Sequence, residues 1–141
     1  TALYYHASHA YNVDEMVDAM DQARQWYGTW FGEFPWKELK VSEFPSLATY
    51  AQGFPTNITF SEGIGFLTKS EPKTNLAFLV TAHEIAHQWW GHQLSPSGQQ
   101  GGALLVESLA QYSALLVMEQ QYGKEHMRRF LKYELDRYLR L

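Results

Sequence analysis

His83-Glu84-Ile85-Ala86-His87 holds the residues of this chain best suited to chemistry: two histidines four positions apart, with a glutamate beside the first. On an α-helix that spacing puts both imidazoles on nearly the same face, where they can share one metal ion. Glu84 is turned off the ligand pair but stays near the open side of the metal. From there its carboxylate can take a proton from a water that the ion has made acidic. The competing reading makes both histidines ordinary half-buried members of a helix that packs through Phe78, Ala82, Ile85 and Trp89.

A third ligand is available in Glu107, which lies in a run with Leu104, Leu105, Val106 and Leu109. A carboxylate in so apolar a setting is costly unless a cation pairs with it. The plainer alternative is an exposed residue near a helix N-terminus, where the dipole favours negative charge. Two histidines and one carboxylate leave a fourth zinc position open to water, the arrangement of catalytic rather than structural sites. The expected set is therefore one Zn²⁺ held by His83, His87 and Glu107, with Glu84 as general base.

The elements that must position these groups follow from periodicity and breakers. Pro72 precedes the histidine helix, Thr74 or Asn75 can cap it, and Gly91 can end it. The segment HQLSPSGQQGG, residues 92–102, has no apolar period and reads as a reversing loop. A second helix starts near Ala103, with the stripe Leu105, Leu109, Tyr112 and Leu116, and Gly123 closes it. From Lys124 a third helix is expected to turn Met127, Phe130, Leu131, Leu135 and Tyr138 inward and its charges to solvent.

Upstream, Ala2 to Tyr5 suggest a short strand. Asn12 with Glu15 reads as a capping-box variant opening a long helix. Its stripe is Val13, Met16, Val17, Met20, Ala23, Tyr27, Trp30 and Phe31. Pro35 breaks that helix, and Leu39 and Val41 mark a strand. Pro45 to Pro55 read as a connection, and Ile58 to Leu67 as a strand in which Ile58, Phe60, Ile64 and Phe66 alternate with smaller residues. The expected fold class is α+β: a helix plus a small mixed or antiparallel sheet over residues 1–70, then the metal-site helices and a further helix over residues 71–141.

HEIAHQWWGHQ followed by ESLAQYSALLVME resembles the catalytic core of the gluzincin metallopeptidases of the M1 aminopeptidase family, relatives of aminopeptidase N. It looks most like a bacterial branch found in large membrane proteins, and the similarity runs from about Phe54 to Glu119. The resemblance implies a thermolysin-like (zincin) domain, the same ligand and base assignments, and a peptide substrate lying along an edge strand, for which Ile58 to Leu67 is the candidate. It also implies membrane attachment through parts of a larger protein outside this sequence. The other reading is a zinc-stabilised module that binds peptide or regulates a transporter without cleaving anything.

Three departures from the family pattern stand out. Nineteen residues lie between His87 and Glu107, one more than is usual there, so strict spacing would select Val106, which cannot bind zinc. Where the family carries Gly-x-Met-Glu-Asn, whose Glu grips the substrate amino terminus, this chain has Ala51-Gln52-Gly53-Phe54-Pro55. Glu62 can substitute for that carboxylate from the strand, and a solvated turn before Gly63 is the competing role. The family's transition-state tyrosine lies several dozen residues beyond the third ligand. Tyr112, Tyr122, Tyr133 and Tyr138 all fall too early to match it. This chain, which starts without Met and ends inside an amphipathic helix, is accordingly expected to bind zinc and to hydrolyse peptides slowly or not at all.

Length and composition suit a single domain: 141 residues, 45% apolar and 16% aromatic. A net charge of −4 leaves no basic footprint for nucleic acid, and the absence of cysteine excludes disulfides and thiolate ligands. No apolar run in these residues is long enough to span a bilayer, and none reads as a signal-peptide pattern. His6, His9, His92 and His126 read as surface or hydrogen-bonded residues, with His92 placed to fix the loop or the Glu107 helix. Gln111, one turn after Glu107, is placed to orient the ligand carboxylate.

Overall fold

A computed structural model describes residues 1–140 and shows an α+β chain. The elements are β1 (Ala2–Tyr4), α1 (Val13–Phe31), β2 (Lys40–Phe44), β3 (Ala51–Phe54), β4 (Asn57–Ser61), a single turn α2 (Glu62–Gly65), α3 (Leu76–Ala86), α4 (Gly102–Tyr122) and α5 (Lys124–Tyr138). Helix α3 packs on α1 and α4 and approaches β3, and α5 packs on α4. With Ala77, Phe78, Leu79, Ala82, Ile85 and Ala86 all buried, α3 is covered on nearly every side.

The sheet is mixed, in the order β1-β2-β4-β3, with β3 the only antiparallel member among the described residues. This corrects the expected edge strand. Residues 51–54, read as connection, form the edge strand, while β4 is an interior strand hydrogen-bonded on both sides. Nor does β4 reach Leu67. The chain turns into α2, whose last residue, Gly65, passes close to Phe60; a Cβ at Gly65 would stand 2.9 Å from the Phe60 ring and 3.0 Å from Met16 Sδ. The alternation of Ile58 and Phe60 does hold, and both are fully buried.

Helix α1 buries Met16, Ala19, Met20, Ala23 and Tyr27, while Val17 is partly exposed. Asn12 makes no cap. Its side chain donates to the carbonyls of Gly65 (2.7 Å) and Thr68 (2.8 Å) and accepts from the Ser70 N–H (2.8 Å), pinning the approach to α3. Glu15 closes no capping box; its Oε1 accepts the Phe78 N–H at 3.1 Å. Together with Ser70 Oγ, which accepts the Ala77 N–H at 3.0 Å, it satisfies the first orphan donors of α3. Neither Thr74 nor Asn75 caps α3 by its side chain; Asn75 is left-handed, with φ of 44°.

The stripe expected on α4 is rotated. Leu105 and Tyr112 are about 60% exposed, and the buried positions are Ala110, Ser113, Ala114, Val117 and Met118. The buried face is built of small residues, Ala110, Ser113 and Ala114, beside Val117 and Met118, and small side chains permit close approach between helices. On α5 only His126, Met127 and Phe130 are buried, and Leu131, Leu135 and Tyr138 stay in solvent, contrary to expectation. No helix among the described residues is long and apolar enough to cross a membrane.

His126 is buried with its Nε2 lacking a hydrogen-bond partner. Burial, helped by Arg129, holds its pKa below the ordinary histidine value. Below about pH 6.5 the unfolded chain gains a proton at this site that the folded chain refuses. Stability is thus expected to fall as pH drops through that point, and to flatten once the folded-state pKa is passed. Unfolding free energies of the chain and of His126→Phe, compared between pH 7.5 and 5, check this; parallel curves would refute it.

Candidate metal centre

His83 lies in the last turn of α3, and His87 at its C-cap. The α-helix ends at Ala86, before Gly91. Beyond it the chain tightens, with the N–H groups of Gln88, Trp89 and Trp90 donating to Ile85 and Ala86 carbonyls at 2.9–3.0 Å. Gly91 then takes φ of 117°, which favours glycine, and turns the chain toward α4. The Trp90 indole N–H donates to Ser113 Oγ at 2.9 Å and fixes α4 against this exit.

The three expected ligands meet. Nε2 of His83 and Nε2 of His87 are 3.2 Å apart, and Glu107 Oε2 is 3.2 Å from the first and 3.5 Å from the second. Metal bonds of about 2.0–2.2 Å at tetrahedral angles separate donors by about 3.3–3.6 Å, so the set fits zinc with little adjustment. The extra residue before Glu107 is absorbed in the loop, and Val106 instead lines the cavity wall. Glu107 is not embedded in apolar surroundings as its neighbours suggested; its side chain is 62% exposed.

The other ring nitrogens are committed. His87 Nδ1 is 3.0 Å from the Trp90 carbonyl, which can only accept, so the proton sits on Nδ1. His83 Nδ1 lies 2.9 Å from Gln111 Oε1 and donates to it in the same way. Both Nε2 atoms therefore offer lone pairs, and two lone pairs beside a carboxylate oxygen call for a cation. Gln111 orients His83 rather than the Glu107 carboxylate, because one helical turn brings it level with His83. Gln111→Leu is expected to weaken zinc binding about 10–100-fold, read by competition with a fluorescent chelator; an unchanged affinity would remove that role.

Glu84 is buried beside these groups and lines the same cavity, of about 390 Å³, with Gly53, His87, Trp90, Val106 and Glu107. Burial raises its pKa above the ordinary glutamate value, while His87 and the Gly53 N–H pull it back. Burial also lowers the His83 pKa, with His87 acting in the same direction.

Edge strand β3 forms one wall, and it is held tightly. A Cβ on Gly53 would stand 2.6 Å from the Glu84 carbonyl oxygen and 3.2 Å from His87 Cβ, so only glycine permits this approach. His92 Nε2 donates to the Gly53 carbonyl at 2.9 Å; it fixes the edge strand, not the loop or α4. Gln88, fully buried, donates to the Phe54 carbonyl at 2.8 Å and accepts the Thr56 N–H at 2.9 Å. Its role was not read from sequence; a glutamine between the histidine motif and two tryptophans was the available signal. Glu62 takes no part here, since it lines a different cavity.

No protein-family model matches the chain, and no curated protein sequence aligns with it significantly.

Proposed function

We propose that this chain carries the metal site of a zinc-dependent peptidase of thermolysin-like architecture, aminopeptidase-like in its gluzincin ligand pattern. The observation that carries the reading is the convergence of two imidazole lone pairs and one carboxylate oxygen at 3.2–3.5 Å, with both Nδ1 atoms tied to acceptors. When bound there, zinc supplies Lewis acidity toward a water and a peptide carbonyl.

The chain's own groups supply the rest. Glu84 faces the cavity from within the motif and is the base that takes the water proton and returns it to the leaving amine. Its raised pKa suits that exchange near neutral pH. Strand β3 presents its outer edge along the cavity, where an extended peptide can pair with its backbone. Gln88 and His92 keep that edge at a fixed height.

Elemental analysis after dialysis against buffered zinc tests the site. His83→Ala combined with His87→Ala is expected to lower the zinc content by one equivalent relative to the unsubstituted chain; equal contents would overturn the reading.

A further inference from the structure

A second group of metal-capable side chains lies away from the centre just described: His9 in the β1–α1 connection, Glu43 on β2 and Glu62 at the start of α2. Each offers one donor atom, and the three atoms lie within 4.8 Å of one another. They border a cavity of about 520 Å³ that no lysine or arginine lines.

Each carboxylate is anchored by one oxygen and presents the other. Glu43 Oε2 accepts the His6 N–H at 2.6 Å, leaving Oε1 toward His9 Nδ1 at 3.2 Å. Glu62 Oε1 accepts the Ser46 N–H at 2.8 Å, leaving Oε2 at 3.7 Å from His9 Nε2. The Glu43 side chain is only 7% exposed, so its charge is largely removed from water.

His9 Nδ1 supplies an independent observation. It is sealed from solvent and makes no hydrogen bond, although Glu43 Oε1 stands 3.2 Å away. The oxygen must therefore lie off the direction in which the nitrogen points. Nδ1 is thus a sealed nitrogen with no hydrogen-bond partner of its own beside two carboxylates.

We infer that His9, Glu43 and Glu62 form a second divalent-cation site, distinct from the His83 centre, that takes a first-row transition ion such as Zn²⁺ or Mn²⁺. One imidazole with two carboxylates suits those ions better than Ca²⁺ or Mg²⁺, which prefer oxygen alone. A divalent charge also balances the two carboxylates, for which His9 is the only ion-pair partner among the described residues. Bound there, the ion clasps the β1–α1 connection to β2 and α2. The inference stands on its own residues and does not depend on the peptidase reading.

The test is zinc stoichiometry by equilibrium dialysis, with folding monitored by circular dichroism. The unsubstituted chain is expected to bind one equivalent beyond that of the His83 centre. Its His83→Ala, His87→Ala variant should keep that equivalent and show a higher Tm when zinc is added. Adding His9→Asn and Glu62→Gln should abolish both. Glu43→Gln, which keeps an acceptor for the His6 N–H, guards against loss through misfolding and should also lose the equivalent. If the His83→Ala, His87→Ala variant binds no zinc, the inference is overturned and the first centre stands. If only the His9 and Glu62 substitutions remove zinc, the peptidase reading fails and this site stands. Mn²⁺ measured by electron paramagnetic resonance should follow the zinc pattern, and competition by equimolar Ca²⁺ would overturn the assignment of ion class.

Discussion

Glu84→Gln should leave zinc in place and reduce the slow peptide hydrolysis expected of the zinc-loaded chain by about 10²–10⁴-fold, the usual worth of a positioned general base. The substitution preserves volume, and Glu84 is not among the three atoms that converge, so metal binding has no reason to change. The amide cannot accept the water proton. The loss should appear in kcat more than in KM, because the proton moves only as the transition state forms. Hydrolysis is best followed with zinc-loaded protein and a quenched fluorescent peptide, with zinc content measured on the same sample. Undiminished turnover with zinc bound would remove Glu84 from the chemistry, whereas no hydrolysis by the zinc-loaded unsubstituted chain would favour a module that binds peptide without cleaving it.

Gln88→Leu is expected to destabilise the chain by about 2–5 kcal/mol, since it strands two backbone groups, the Thr56 N–H and the Phe54 carbonyl, at roughly 1–3 kcal/mol each. Leucine fits the volume but offers neither donor nor acceptor. The effect should be read from denaturant unfolding, as a lower midpoint at a similar slope. Because Gln88 ties β3 to the end of α3, substrate affinity should weaken as well, while zinc, held by side chains on α3 and α4, is retained. A change in stability below about 0.5 kcal/mol would show that water replaces both bonds and that the strand is not held by Gln88.

The histidine pair was legible because a helix converts spacing into direction without help from the rest of the molecule. Glu107 was legible only as a residue type out of place among leucines. Its neighbours Leu104 and Leu105 proved exposed, so the reason for noticing it was weaker than the position it occupies. Val106 and Glu107 differ by one residue, and only the path of the loop from Gly91 to Gly101 decides which of them faces α3. The sheet was harder. Residues 51–54 carry a glycine and a following proline that read as connection, yet they form the strand that borders the cavity of His87 and Glu107 because Gly53 lets the backbone approach α3. Asn12 and Glu15 matched a local capping pattern, but partners more than fifty residues away took both side chains. His9 read as a surface histidine because its two carboxylates come from separate strands and turns.

The sequence by itself determined the α+β class, the long helices, and the identity of the groups that meet at His83, His87 and Glu107, since these depend on period, breakers and donor chemistry within short windows. Tertiary structure decided which strand is the edge, which face of α4 is buried, what holds each Nδ1, and that His9, Glu43 and Glu62 share a cavity. Those features arise from pairings between distant segments, where close packing and the need to satisfy buried backbone groups override local pattern.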